Sequence, residues 1–378
     1  LSLRRQRQMC IRDSSDAVQD ASSVEISSDT PRRRTEQRQH ALWEFFLQHR
    51  TDEWFREKYA LDDVSIRARK HRRRAGRQHK AQWLRELHSG ALDRVNFDLQ
   101  QGGDDAPMYT VTNRLGNIEH YDTDVVAIPP DTEHKLLVRS WPPDLPRRDL
   151  ERHLQTFTGF RYVALLEPLV QRRWHRAGIA VFKDGTDVRA AAQALNGAQF
   201  GDFVLHLAVI DRPSISRLRI APACVNAMSR LEHDLRMAQA LVRTFEEEDS
   251  ALFSAEPTCV AAQWLRVSAC EAIDERCTVL KLAQLPRRDA LKKRLDLHLD
   301  LLRTVYHCDF YLCLVCDLPE ELEHRSACHV RRQPSDDEDV DDAGAEDTFW
   351  TTHHDEKMKL LLYPDQVLAQ VGGIDVER

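Results

Sequence analysis

Between His134 and Asp211 the chain reads as four short apolar runs: HKLLVRSW (His134–Trp141), GFRYVALLEP (Gly159–Pro168), RAGIAVFKD (Arg176–Asp184) and DFVLHLAVID (Asp202–Asp211). Leu150, Leu154 and Phe157 recur at helical spacing between the first two runs. Val188, Ala191, Ala192 and Leu195 do the same between the last two, ahead of Asn196-Gly197. Short β-branched runs bounded by turn residues mark strands, and recurrence every three to four residues marks helices. The order is therefore β-α-β-β-α-β over residues 133–213, a split βαβ unit with both helices on one face of its sheet. On the first strand Leu136 and Val138 are expected to face the core and Leu137 the open surface. On the third, Gly178 sets the register and leaves Ile179 and Val181 outward.

Outward from this unit the pattern is helical, giving an α+β, mainly helical protein. In ALWEFFLQHRTDEWFREKYALDD (residues 41–63), Phe45, Phe46, Trp54, Phe55 and Tyr59 place aromatic bulk at helical spacing. A second helical stretch follows from Ser65 to Leu87, ending in Trp83, Leu84 and Leu87. The two read as a helical hairpin, aromatics packed together and arginines outside, within an N-terminal helical domain spanning residues 39–128. Gln101 to Tyr121 reads as a polar connector, and Pro129-Pro130 marks the boundary. From Ile215 to Tyr306 the signal is helical again. Leu291, Leu295, Leu299 and Leu302 form one apolar row there, and Leu297, Leu301 and Val305 a second, so this helix is expected deep in a C-terminal core of residues 214–334. Residues 1–38 are too poor in apolar bulk to offset ordering entropy and are expected to be disordered. Residues 335–347 read as an acidic linker, and residues 348–378 as a short helical piece. The chain opens at Leu1 rather than Met with LSLRRQRQMCIRDS, which resembles translated adaptor sequence and is set aside from fold reasoning.

The chain has 378 residues, enough for more than one core. It is 42% hydrophobic and 30% charged, and no run approaches the roughly 18 apolar residues of a membrane span. The net charge of −7 conceals a separation of signs. Ser65 to Lys80 holds Arg67, Arg69, Lys70, Arg72, Arg73, Arg74, Arg77 and Lys80 without an acid, whereas residues 335–347 hold acids and no base. Such a basic run serves as an import signal, a phosphate-binding patch or a solvated helix face. Nine cysteines, an odd number, point to a reducing compartment and turn attention to metal binding. Cys313 and Cys316 form a Cys-x2-Cys pair. With Cys328 and either His329 or His324 they offer a four-ligand set for one structural zinc, the alternative being reduced, half-buried cysteines. Nucleophile-elbow, dinucleotide, Walker and HExxH strings are missing. His353-His354-Asp355-Glu356 reads as surface, so no enzyme, small-molecule substrate or membrane partner is expected.

Three collinear stretches resemble the SERRATE/arsenite-resistance family. EFFLQHRTDEWFREKYALDD (residues 44–63) resembles its N-terminal signature. KLLVRSWPPDLPRRDLERHLQTFTGFRYVALLEP with RRWHRAGIAVF (residues 135–168 and 172–182) is similar to its RNA-recognition-motif-like domain. LDLHLDLLRTVYHCDFY and ACHVRR (residues 295–311 and 327–332) resemble its C-terminal core. The resemblance implies a nuclear scaffold joining capped transcripts, through the nuclear cap-binding complex, to microRNA processing, small-RNA maturation, gene silencing or decay. It also implies a zinc finger and basic tail not seen here, so a C-terminally truncated fragment is expected. RNA-recognition motifs stack bases on aromatics of the two central strands, but Leu137, Ile179 and Val181 are aliphatic. A degenerate domain is expected, its sheet turned toward protein, with weak phosphate-directed RNA contacts. Candidates are Arg67, Lys70, Arg72, Arg73 and Arg74 on the basic helix and Arg172, Arg173 and Arg176 in the loop between strands two and three. Trp174 in that loop is either an exposed stacking platform or a ring tucked against neighbouring helices. The alternative is a stand-alone RNA-binding module using the basic helix and this loop.

Overall fold

The computed structural model describes residues 31–59, 68, 72–73, 80–99, 109–114, 116–253, 267–332 and 345–363. The split βαβ unit is present: β5 (Lys135–Trp141), α4 (Arg147–Leu154), β6 (Phe160–Leu165), β7 (Arg176–Phe182), α5 (Val188–Leu195) and β10 (Leu207–Val209) form an antiparallel sheet in the order β10-β5-β7-β6. Leu136, Val138, Val163, Leu165, Ala180 and Phe182 point from it into a core closed by Leu150 and Leu154 of α4 and Ala191 and Leu195 of α5. The expected fourth strand is divided. Its first residues, β9 (Phe203–Val204), fold back on β8 (Gln199–Phe200), and only Leu207 to Val209 join β5. The turn between β8 and β9 places Gly201 at φ +60°, a conformation glycine adopts without side-chain clash.

The unit is set into a second sheet that the sequence did not suggest. β4 (Val125–Ile128) leads into it and β11 (Ser214–Ala221) leads out, and the two pair antiparallel with Ser214 opposite Ile128. After a short hairpin of β12 (Cys308–Asp309) and β13 (Leu314–Val315), β14 (Cys328–Arg332) lies parallel to β11 and, on its other side, to β1 (Asp98–Leu99), giving the order β1-β14-β11-β4. The helical reading from Ile215 is thus corrected for residues 214–221, where Ser216 and Leu218 alternate inward at the period of a strand. The connector before Pro129 also contains strand: β2 (Tyr109–Thr112) and β3 (Ile118–Tyr121) form a hairpin over Leu99, Val126 and Val330.

The helical body centres on α8 (Arg287–Thr304), with α6 (Met228–Phe253) and α7 (Ala269–Val279) packed against it, α3 (Lys80–Ser89) on α7 and α10 (Ala345–Leu362) on α6. Leu295, Leu297, Leu299, Leu301 and Leu302 of α8 are all buried, as the double apolar row requires. The polar residues between them are internal too, each with a partner. Asp296 accepts from Arg331 at 2.6 Å, and Asp300 accepts from the Trp83 indole at 2.7 Å and from Arg114 at 2.9 Å. Buried charge persists only where such partners replace water.

Two N-terminal expectations change. The segment assigned to disorder ends earlier, because α1 (Pro31–His49) begins at a proline, which suits the first turn of a helix; residues 1–30 lie outside the described residues. The expected aromatic hairpin divides into two clusters. Phe45 and Phe46 of α1 meet Trp54 and Phe55 of α2 (Glu53–Tyr59), whereas Trp83, Leu84 and Leu87 of α3 enter the main core. Most of the acidic run and residues 364–378 lie outside the described residues.

Gly178 tests the register directly. A Cβ there would come within 2.8 Å of a Leu165 methyl and 3.1 Å of the Ala164 carbonyl oxygen. Gly178→Val is expected to lower the stability of the chain by about 1–3 kcal/mol, the cost of overpacking a filled interior, read as an earlier urea midpoint.

Candidate functional site

The outward face of the β10-β5-β7-β6 sheet is where an RNA-recognition motif would hold bases. Register puts two rows of side chains on it. One runs Ala208, Leu137, Ile179, Ala164; the other runs Lys135, Val181, Tyr162. The second row is covered by α9 (Pro319–Arg325), from the far end of the chain. Glu320 of α9, only 3% exposed, pairs with Lys135 at 3.3 Å and accepts a long 3.4 Å hydrogen bond from the Tyr162 hydroxyl. Val181, expected on the surface, is buried, a correction whose cause is this helix. Tyr162 is an aromatic on the face, but on the outer strand β6, and its hydroxyl is engaged by Glu320. In the first row Ala164 is buried, and Leu137, Ile179 and Ala208 are half-buried. Leu137 and Ile179 line a cleft of about 1160 Å³ that continues past Leu169, Arg139 and Arg172 to the segment Asp211–Arg217.

One wall of the cleft is a network of largely buried charge. The Glu57 carboxylate of α2 accepts from Arg176 of β7 at 2.7 Å and lies 3.5 Å from Arg147 of α4 and 3.9 Å from Arg72. Arg147 also donates to Glu151 at 2.8 Å and to the Val163 carbonyl, and its amide donates to Glu53 at 2.6 Å, so α2 caps the start of α4. Arg176 further donates to the carbonyls of Leu165 and Leu166. Arg72 and Arg73 both donate to Asp317, at 3.0 and 2.8 Å, just before α9. Burial alone pushes the Glu57 carboxyl up, but the guanidinium groups of Arg147, Arg176 and Arg72 outweigh it and hold it at about 2.

The RNA-contact candidates are sorted by this geometry. Arg72, Arg73 and Arg176 are directed to carboxylates and carbonyls of their own chain, with side chains between 6% and 12% exposed, so the geometry removes them from a phosphate-facing surface. Arg67, Lys70 and Arg74 lie outside the described residues. Arg172 and Arg173 are exposed on the loop between β6 and β7. Trp174 takes the tucked alternative. Its indole stacks on Trp54 with centroids 5.4 Å apart and planes 7° apart, and His49 and Phe45 flank it at 4.2 and 5.7 Å. Arg173 and Trp174 both have positive φ, 51° and 62°, a costly backbone for residues with Cβ. The ring stack holds that turn in place, and the turn presents Arg172 and Arg173 outward.

The zinc ligands do not assemble. His329 Nδ1 is 2.8 Å from Asp309, the Cys313 thiol donates to the His354 carbonyl at 3.7 Å, and Cys316 packs with Leu314 and Leu322. His324 is exposed on α9. Among the described residues no group of three His, Cys, Asp or Glu side chains is placed to hold a metal ion. Burial pushes the Cys313 thiol well up and the Cys328 thiol up to about 11, which favours the protonated forms. The residues as placed do not fit a zinc ion; the cysteines are unpaired by disulfides, with Cys313 and Cys316 more deeply buried than the half-buried alternative and Cys328 half-buried.

The site residues that the sequence did not single out are acids, Glu57, Asp317 and Glu320. Glu57 sits inside the conspicuous string EWFREKY, yet nothing local says that its partners lie 15, 90 and 119 positions on, at Arg72, Arg147 and Arg176.

Sheet order, helix placement and the strand-two-to-three loop define a protein built around an RNA-recognition-motif domain seated in a helical body. A family model described as "Serrate RNA effector molecule homolog, RNA-recognition domain" matches residues 132–212, and one described as "SERRATE/Ars2, N-terminal domain" matches residues 20–112. These two stretches of the chain are similar to the corresponding domains of the SERRATE/Ars2 family. The Serrate RNA effector molecule homolog of Caenorhabditis elegans is 24% identical over 272 residues, covering 57% of this chain and 38% of the relative. That of Drosophila sechellia is 25% identical over 113 residues, 30% of this chain and 12% of the relative. The chain thus spans well under half the length of these relatives.

Glu57 sets a pH signature. Its pKa is depressed from 4.5 to about 2, so its stabilisation is fully present above about pH 4.5 and is lost as pH falls toward 2. Glu57→Gln is expected to lower the denaturation midpoint at pH 7 and to flatten the decline between pH 4.5 and 2. Removing one partner of a buried ion pair costs about 3–5 kcal/mol at neutral pH. Parallel acid limbs in wild type and variant would remove Glu57 from this role.

Proposed function

We propose that this chain is the folded core of a nuclear RNA-processing scaffold, one that links capped nascent transcripts and the cap-binding complex to microRNA processing, small-RNA maturation or decay machinery. It works by gathering partners rather than by chemistry. The observation that carries this reading is the state of the sheet face. Its first row is aliphatic, its one aromatic is engaged by Glu320, and half of it is covered by α9. Stacking contributes about 1–3 kcal/mol per base where aromatics are free to provide it, and here the central strands offer none. RNA affinity then rests on phosphate contacts at Arg172 and Arg173, which position a strand without reading its sequence.

The family name of the relatives, RNA effector molecule, supports a role on RNA. The integration of the domain into the body supports a platform over a free-standing module, since the basic residues Arg72 and Arg73 are spent on internal carboxylates.

The test is binding of the full chain to a capped single-stranded RNA across a salt series, beside an Arg172→Glu/Arg173→Glu variant. Weak, sequence-tolerant binding is expected, with the salt slope in the variant reduced by about 0.7 for each phosphate that is no longer neutralised. Tight, sequence-selective binding that survives the double variant would overturn the scaffold reading.

A further inference from the structure

The cleft beside the first row of the sheet combines an aliphatic floor with arginines that lack internal partners. Leu137 and Ile179 form the floor, and Ile215 stands at its far wall, 70% exposed despite being a large aliphatic residue. Leu169, 44% exposed, faces the same space. An isolated exposed aliphatic side chain needs no explanation, but several lining one concave site do. Arg139 on β5 and Arg212 just before β11 are exposed on this lining, and neither makes a side-chain ion pair or hydrogen bond among the described residues.

Most acids of the lining are already matched. Glu320 is paired with Lys135, Glu167 with Arg325 at 2.7 Å, and Asp317 with Arg72 and Arg73. Glu321 is pushed up by burial and by the neighbouring Asp317, and it accepts from the Asp317 amide. Glu323 is a second exposed acid of the lining, so that with Asp211 two exposed acids stand against the three exposed arginines Arg139, Arg172 and Arg212. The uncompensated charge of the mouth is therefore positive by one.

We infer that this cleft is a docking site for a short peptide segment of a partner protein, one that interleaves Asp or Glu with Leu or Ile. The aliphatic groups insert between Leu137, Ile179 and Ile215, and the carboxylates meet Arg139 and Arg212. Two ligand chemistries carry negative charge, peptide and RNA, and the floor decides between them. Bases need flat aromatic or guanidinium surfaces to stack on, whereas branched aliphatic walls complement branched aliphatic side chains. The proposal goes beyond the scaffold reading by naming a partner chemistry and a place for it. It uses Arg139 and Arg212 rather than the Arg172/Arg173 pair that carries RNA, so the two readings fail separately.

The test selects a random dodecapeptide library displayed on phage against the full chain, then measures labelled selected peptides by fluorescence anisotropy. Enriched peptides are expected to interleave acids with Leu or Ile. Their affinity should fall at least about tenfold for Arg139→Glu/Arg212→Glu, because like charge at a rim both slows encounter and repels the bound acid. Ile215→Ser should weaken them as well. All three positions are exposed, so thermal midpoints should stay at the wild-type value and exclude unfolding as the cause. No enrichment, enrichment without acids, or equal affinity for wild type and variants overturns the proposal. So does an oligouridine RNA that displaces the peptides and itself loses binding in the Arg139/Arg212 variant, which would give the cleft to RNA.

Discussion

The arrangement depends on one buried carboxylate. Glu57 lies within reach of guanidinium groups from three segments: Arg72 beside the first helices, Arg147 at the start of α4, and Arg176 at the start of β7. Each of these arginines makes further bonds. Arg147 and Arg176 hold the carbonyls at the end of β6, and Arg72 holds Asp317 ahead of α9. Ion pairs of this kind are poor sources of net stability, because desolvation offsets much of the attraction. Their strength is directional. Three forks converging on one acid tolerate few relative placements of the N-terminal helices, the sheet and the C-terminal segment.

That fixed placement explains why the sheet face is neither free nor fully occluded. Asp317 is anchored by Arg72 and Arg73, and α9 begins two residues later, so Glu320 is delivered over Lys135 and Tyr162. A helix of seven residues reaches about 10 Å, enough for one row of the sheet and not both. The uncovered row, with Leu137 and Ile179, opens into the cleft. Half of the surface inherited from the RNA-recognition fold is therefore an internal interface, and half remains for a ligand.

The sequence made the split βαβ unit legible because strand and helix periods alternate cleanly within one short span and the connecting turns carry Pro, Gly and Asn. The Leu-rich helix was equally plain. Strands β4, β11 and β14 were not: β4 and β14 are short, and all three take their partners from remote segments, up to 233 residues away, as Asp98 and Arg331 illustrate. The basic run was visible as charge but not as environment. The same arginines read as a phosphate surface until Glu57 and Asp317, remote in sequence, are placed beside them. The cysteines misled in the opposite way, because Cys-x2-Cys spacing allows convergence without requiring it, and Cys313, at φ 51°, turns toward the His354 carbonyl instead. Arg172 and Arg173 are exposed because they sit in the loop between β6 and β7.

β14 has a consequence for synthesis. It is the middle strand between β1, at residues 98–99, and β11, at residues 214–221, so those two gain their hydrogen-bond partner only when residues 328–332 leave the ribosome. At roughly 5–20 residues per second, β11 waits several seconds with one edge unpaired, while the four-stranded unit preceding it has every residue it needs to close. An open strand edge is a template for pairing with other chains. The nascent protein therefore passes through a window in which a completed domain hangs from an incomplete sheet, and a chaperone that shields strand edges has its task set by the position of five residues near the end of the fold.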